Sequence, residues 1–210
     1  MKRIDLENWS GRGMFRQFAG MDVPFFSVTV PLDITFLLEK ARAENLPFFG
    51  LSLFAIARAL NAVEALRYRL LPDGEIVLYE KIDPVYLALR EDEAITAVRV
   101  PFANDFAAFD AARREAEKRT LAMPEPWFYR GDERDVFFLS AVPWFSFSGM
   151  SHPIMLGKKY DSIVRLTLGK YRWQDGKAIM SLDIQSHHGF VDGFRLAQFF
   201  REIERFGQEN

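Results

Sequence analysis

The stretch from Phe49 to about Leu66 reads as a helix that is apolar nearly all round. A helix with no polar face has no side to turn to water, so other elements must cover it on every side. The rest of the chain therefore has to supply a sheet and further helices around it. Apolar material is plentiful: 49% of the 210 residues are hydrophobic and 21 are Phe. That many rings fill a core, and they also suit an aromatic pocket or a subunit interface. The run Phe48 to Ala57 is no membrane span. It is broken at Arg58, at about half the ~20 residues a span requires.

The flanking patterns supply both layers. From Phe25 to Val30, Phe26, Val28 and Val30 share one face and Ser27 and Thr29 the other, as in a strand. Asp33 or Thr35 caps a helix running to about Asn45, with Leu37, Leu38 and Ala41 inward, before Pro47 interrupts. Pro72-Asp73-Gly74 is a turn. Strands are predicted at Ile76–Tyr79, Pro84–Leu89, Ile95–Val100 and Val136–Val142, and a helix capped by Asn104 from Asp105 to about Arg119. Residues 120–134 read as a loop, and Pro143 to Lys159 as irregular. Ile163–Trp173 and Lys177–Ser186 form a hairpin through Asp175-Gly176. A last helix runs from about Gly193 to Phe206, with Phe194, Ala197, Phe199 or Phe200, and Ile203 inward. Intermixed strands and helices, with several strands adjacent, predict an α/β sandwich built on a mixed sheet.

Several function classes are excluded. With 27 Lys+Arg against 29 Asp+Glu there is no electrostatic case for a nucleic-acid partner. With no cysteine there is no disulfide, thiolate zinc site, iron–sulfur cluster or thiol nucleophile. The start, Met1 to Asn8, lacks a signal peptide's apolar stretch, so a soluble cytoplasmic protein without a membrane partner is expected. Phosphate-binding and dinucleotide-binding glycine motifs are absent.

The three histidines are His152, His187 and His188. The last two close a half-polar strand just before the final helix, in Gln185-Ser186-His187-His188-Gly189-Phe190-Val191-Asp192-Gly193. Rigid elements on both sides fix such a turn. Strand alternation sends the two rings to opposite sides. A histidine is a suitable base near neutral pH, and Asp192 stands where a carboxylate binds free helix amides or an arginine. Spacing alone equally allows a packed histidine pair beside a capping aspartate. A metal site is disfavoured because the rings diverge. A serine hydrolase is disfavoured because no Gly-x-Ser-x-Gly is present.

His187-His188-Gly189-Phe190-Val191-Asp192-Gly193 matches HHxxxDG, and with its context it resembles the chloramphenicol acetyltransferase superfamily. Phe137 to Phe147 resembles the segment around that family's active-site serine. Thr167-Leu168-Gly169-Lys170-Tyr171, Gly176-Lys177 and Ile184 to His188 resemble its C-terminal hairpin, and Val30 to Thr35 and Asp73 to Glu75 fall in order.

The resemblance implies one acetyltransferase domain over residues 1–210, a two-layer α/β sandwich with helices on one face of a mixed sheet. It implies acetyl-CoA as co-substrate, no metal, a small hydroxylated acceptor with chloramphenicol first (antibiotic inactivation), and a homotrimer with each site between two subunits. By position, His188 is the general base, Ser140 the oxyanion donor and Thr167 the holder of a water beside the intermediate. Asp192 is the aspartate that pairs with an N-terminal arginine. That arginine is a departure, because Gly11 stands at its place and Arg12 one position later; flanked by Gly11 and Gly13, Arg12 either shifts to pair with Asp192 and support the turn or is an exposed N-terminal charge. Lys170 and Tyr171 fall on the coenzyme channel, and Phe18, Phe25 and Gln185 in the acceptor pocket. Gln17, Asp22, Met150 and His152 replace bulky apolar pocket residues. His152 reads either as a surface loop residue or as a polar group in that pocket. Two further readings remain: a same-fold enzyme for another hydroxylated molecule, and a catalytically idle binding or regulatory relative.

Overall fold

The computed structural model describes residues 1–128, 133–154 and 161–208. At its centre lies α3, Phe48–Ala62, with the run Gly50 to Ala57 buried on all sides. Three helices pack around it: α2 (Thr35–Ala43), α4 (Phe106–Leu121) and α5 (Gly193–Gln208). Among the described residues no helix is long and apolar enough to cross a membrane. Asp105 rather than Asn104 caps α4, accepting the Ala108 amide at 2.9 Å.

The apolar helix stops at Ala62, four residues short of the predicted end. The Asn61 side chain bonds the Ala57 carbonyl and both backbone groups of Ile82 at 2.8–2.9 Å, which ties the helix end to the next sheet strand. Val63 is extended, and the chain passes through a 3₁₀ turn at Glu64–Arg67. It then enters a small sheet in the order β1 (Lys2–Arg3), β4 (Ile76–Leu78), β3 (Tyr68–Leu70), of which β1 and β3 were not predicted.

Among the described residues the main sheet has seven strands. These are β2 (Phe25–Asp33), β5 (Asp83–Leu89), β6 (Ile95–Arg99), β7 (Val136–Val142), β8 (Arg165–Gly169), β9 (Arg172–Gln174) and β10 (Lys177–His187). Their order is β2-β10-β8-β7-β5-β6, with β9 against β10. β7 runs parallel to both neighbours and every other pairing is antiparallel, so the sheet is mixed. The hairpin turns at Asp175 and Gly176, with φ of 50° and 78°, the left-handed pair that a two-residue turn needs.

Register separates two faces. Tyr86, Leu139, Leu166, Ile184 and Val28 are successive partners across five strands, and the first four are core residues under the helices. One residue along, Ser140, Thr167, Asp183 and Thr29 are partners in the same way. Side chains alternate along a strand, so this polar row faces away from the helices. In α5 the inward residues are Leu196, Phe199, Ile203 and Phe206. Phe194, expected inward, is 60% exposed because it falls on the opposite side of the helix from Leu196.

Arg69 on β3 is fully buried and joins the two sheets. Its guanidinium donates to the carbonyls of Leu66, Tyr68, Arg134 and Val136 at 2.7–3.0 Å. Arg69→Met strands those acceptors and is expected to cost about 3 kcal/mol or more in chemical denaturation. A midpoint equal to that of the parent would refute the joining role.

Candidate active site

β10 ends at His187, opposite Phe25 at the start of β2. His187 is 2% exposed and packs against Phe25, Phe15 and Phe190, with ring centroids 5.6, 6.3 and 5.0 Å away. Its Nδ1 accepts the Gly189 amide at 3.1 Å, so the proton resides on Nε2, a buried atom without a partner among the described residues. Burial is the main cause that pushes the ring down to about 4, against a smaller opposing effect from Asp161. Gly189 is required here: a Cβ would stand 2.9 Å from the His187 ring and 3.2 Å from Phe15.

His188 turns the other way and is half-buried. Its ring stacks on Phe18, the last residue of α1 (Arg12–Phe18), at 4.0 Å, and lies 4.5 Å from Phe26. The backbone amide donates to the Pro24 carbonyl at 2.7 Å. Nδ1 lies 2.9 Å from the Val191 carbonyl. A carbonyl only accepts, so Nδ1 carries the hydrogen and the lone pair of the neutral ring is on Nε2.

Asp192 caps α5, taking the Arg195 amide on Oδ1 at 2.9 Å and the Arg195 guanidinium on Oδ2 at 2.6 Å. The expected pairing with Arg12 is not formed; the Arg12 guanidinium donates to the Glu7 carbonyl. Arg195 is one helical turn from Asp192 and wins locally. The N-terminal segment is attached through rings instead, with Trp9 5.0 Å from Tyr68 and 6.0 Å from Phe190.

Ser140 on β7 and Thr167 on β8 are strand partners, and Thr167 is 3% exposed. Ser140 borders a cavity of about 370 Å³ that also meets His152 and Arg165. His152 is not a surface loop residue. Its Nε2 bonds Asp183 Oδ1 at 2.9 Å and its side chain is only 10% exposed. Asp183, which sequence reasoning did not single out, is fully buried. Only its place in an alternating strand was visible, and that pattern alone predicts a solvated face. Gln185, two residues along on the same face, is 6% exposed, and its Oε1 has no partner among the described residues. Phe25 packs against the Arg165 guanidinium at 5.8 Å.

Lys170 and Tyr171 border a second cavity of about 600 Å³, walled largely by apolar groups including Phe48, Phe49 and Met180. Ala141 and Pro143, following Ser140, reach the same cavity. Such walls suit an extended, uncharged arm, and the Lys170 ammonium suits a phosphate.

A family model described as chloramphenicol acetyltransferase matches residues 1–204. The chain belongs to the chloramphenicol acetyltransferase family. Chloramphenicol acetyltransferases of Klebsiella sp and Clostridium perfringens are 27% and 28% identical to it over 207 and 211 residues. The alignments cover 98% and 97% of this chain and 93% and 96% of theirs. A solved chloramphenicol acetyltransferase structure superposes with a TM-score of 0.85 at 29% identity, covering 97% of each chain. A dihydrolipoamide acetyltransferase of Azotobacter vinelandii shares the fold, with a TM-score of 0.60 at 19% identity over 94% of this chain and 85% of its own. As a member of the chloramphenicol acetyltransferase family the protein is an acyltransferase, and its α/β sandwich is the family's fold.

The buried His187 makes stability depend on acid. The folded ring binds its proton near 4 and an unfolded one near ~6.5. Stability from this residue is therefore complete above ~6.5 and is lost as pH falls through about 4, a change of about 3 kcal/mol. His187→Gln should flatten the urea midpoint across that window. Parallel pH profiles for the two proteins would show that the ring is protonated equally in both states.

Proposed function

We propose that the chain is an acetyl-CoA-dependent O-acetyltransferase acting on a small hydroxylated acceptor, with chloramphenicol the first candidate because the relatives carry that name. The observation that carries this reading is the His188 tautomer: Nδ1–H is spent on Val191, which leaves a basic Nε2 on a half-exposed ring beside Phe18. The acetyl thioester supplies the electrophilic carbonyl. His188 Nε2 takes the acceptor's hydroxyl proton as that oxygen bonds to the acetyl carbon, and returns it to the departing thiolate when the C–S bond breaks. The Ser140 hydroxyl donates to the charge that collects on the acetyl oxygen, a contact commonly worth about 10²–10³ in rate. Thr167 holds a water beside it, and Asp192 with Arg195 keeps the histidine turn in shape. Lys170 and Tyr171 bind the coenzyme, and Phe18, Phe25 and Gln185 face the acceptor. Arg12, bonded to Glu7, has no part in this site.

His188 and Ser140 do not meet within one chain. Thr167, the partner of Ser140, pairs with Asp183, five residues before His188. That is about 16 Å along β10 and two strand spacings of ~4.8 Å across. The separation supports a homotrimer in which one subunit's His188 faces another's Ser140. Exposed Trp144, Phe145, Leu87 and Leu89 are apolar surface for such a contact. We read the protein as one cytoplasmic domain. A second reading, an acceptor other than chloramphenicol, is favoured by Arg165 and His152 at the Ser140 cavity.

His188→Ala should lower kcat by about 10²–10⁴ in acetyl transfer from acetyl-CoA, with assembly unchanged. An unaltered kcat would remove the base assignment. If sites are shared, co-expressed His188→Ala and Ser140→Ala chains should recover activity that neither has alone, because mixed trimers contain one intact site. Activity no greater than the sum of the parents would rule against sharing.

A further inference from the structure

A third cavity, of about 490 Å³, opens between the N-terminal segment, the Glu64–Arg67 turn and the outward side of α5. It shares no lining residue with the cavities at Ser140 and Lys170. Part of its wall is aromatic. Trp9 lies 5.0 Å from Tyr68 and 6.0 Å from Phe190, those two are 5.8 Å apart, and Phe194 adds an exposed ring. Five charged side chains complete the lining: Glu64, Arg195, Arg201, Glu202 and Arg205. Two of the arginines are neutralised within α5, Arg195 by Asp192 at 2.6 Å and Arg205 by Glu202 at 2.8 Å. That leaves one cation, Arg201, and one anion, Glu64, without an ion-pair partner among the described residues. Glu64 is held in place all the same. Its Oε1 accepts from the Tyr68 hydroxyl at 2.6 Å, which in turn accepts from Trp9 Nε1 at 3.2 Å. A hydrogen bond from a neutral hydroxyl fixes the carboxylate and leaves its charge uncompensated.

We propose that this cavity binds a small zwitterion, with its ammonium at Glu64 and its carboxylate at Arg201. Two opposite charges that line one cavity and do not close on each other leave room for a molecule that meets both. The rings beside Glu64 favour the ammonium through their negative faces, and a guanidinium takes a carboxylate through two parallel N–H bonds. A cation without a carboxylate would confront Arg201 and return nothing to it. An anion without an ammonium would confront Glu64 and Glu202. An uncharged apolar molecule would strip water from both free charges and give no bond in exchange. The ligand class is therefore an amino-acid-like molecule with its charges at opposite ends of an apolar body, the body lying along Trp9 and Phe194.

The test is titration calorimetry on the intact protein with 4-(aminomethyl)benzoate, beside its two single-charge analogues, 4-methylbenzoate and benzylamine. The zwitterion should bind about tenfold or more tightly than either analogue. Arg201→Gln should bring its affinity down to that of benzylamine. Glu64→Gln, which keeps an oxygen for the Tyr68 hydroxyl, should bring it down to that of 4-methylbenzoate. Both side chains are exposed, so each variant should melt with the parent when no ligand is present. Saturating coenzyme A should leave the titration unchanged. Equal affinity for the three probes, no binding of the zwitterion, or unaltered affinity in both variants overturns the proposal. Displacement by coenzyme A also overturns it, because it puts the probe in the Lys170 cavity. None of these results bears on acetyl transfer, which the kcat of His188→Ala tests separately.

Discussion

One residue along each strand separates the core of this protein from its chemistry. The in-register pairing of β7, β8, β10 and β2 aligns Leu139, Leu166, Ile184 and Val28 under the helices. It places Ser140, Thr167, Asp183 and Thr29 on the other side. A slip of one residue in any of these strands would exchange the two rows. The apolar row cannot leave the helices without exposing the core, so the polar row is held in place by burial it does not itself contribute. Candidate catalytic groups on such a row need no strong bonds of their own to be well positioned.

The histidine turn uses the same economy. His187 is sealed among rings and stays neutral, so its buried ring acts as a rigid peg at the end of β10. Its carbonyl accepts the Phe190 and Val191 amides, which closes the turn tightly enough for Val191 to meet His188 Nδ1. Holding one histidine thus sets the tautomer of the next. The Asp192–Arg195 pair adds a local brace within α5, while the rings of Trp9, Phe15 and Phe190 attach the N-terminal segment. In this chain the ion pair at Asp192 is made within α5 and the attachment of the N-terminal segment is aromatic.

The buried carboxylates at Asp183 and Asp161 are the costly features of the sheet's open face. Each of their oxygens accepts one hydrogen bond, and each carboxylate holds a basic side chain that borders the cavity beside Ser140.

The sequence by itself determined the longer elements and the motif, but not β1, β3 or α1. The all-apolar α3, the alternation in β2, β7 and β10, the Asp175-Gly176 turn and the run from His187 to Gly193 are local patterns, written in neighbouring residues. Tertiary contacts decided the rest. Asn61 reaches Ile82 and ends α3 early; Arg195 takes Asp192 in place of Arg12; and His152 leaves the surface to meet Asp183, 31 positions away. The pairing of Ser140 with Thr167 joins residues on separate strands, and its distance from His188 along the sheet follows from strand order. Such choices depend on which groups converge once the chain has closed, and on the low dielectric there, which makes an unpartnered buried polar group costly. Spacing along a chain carries no record of that.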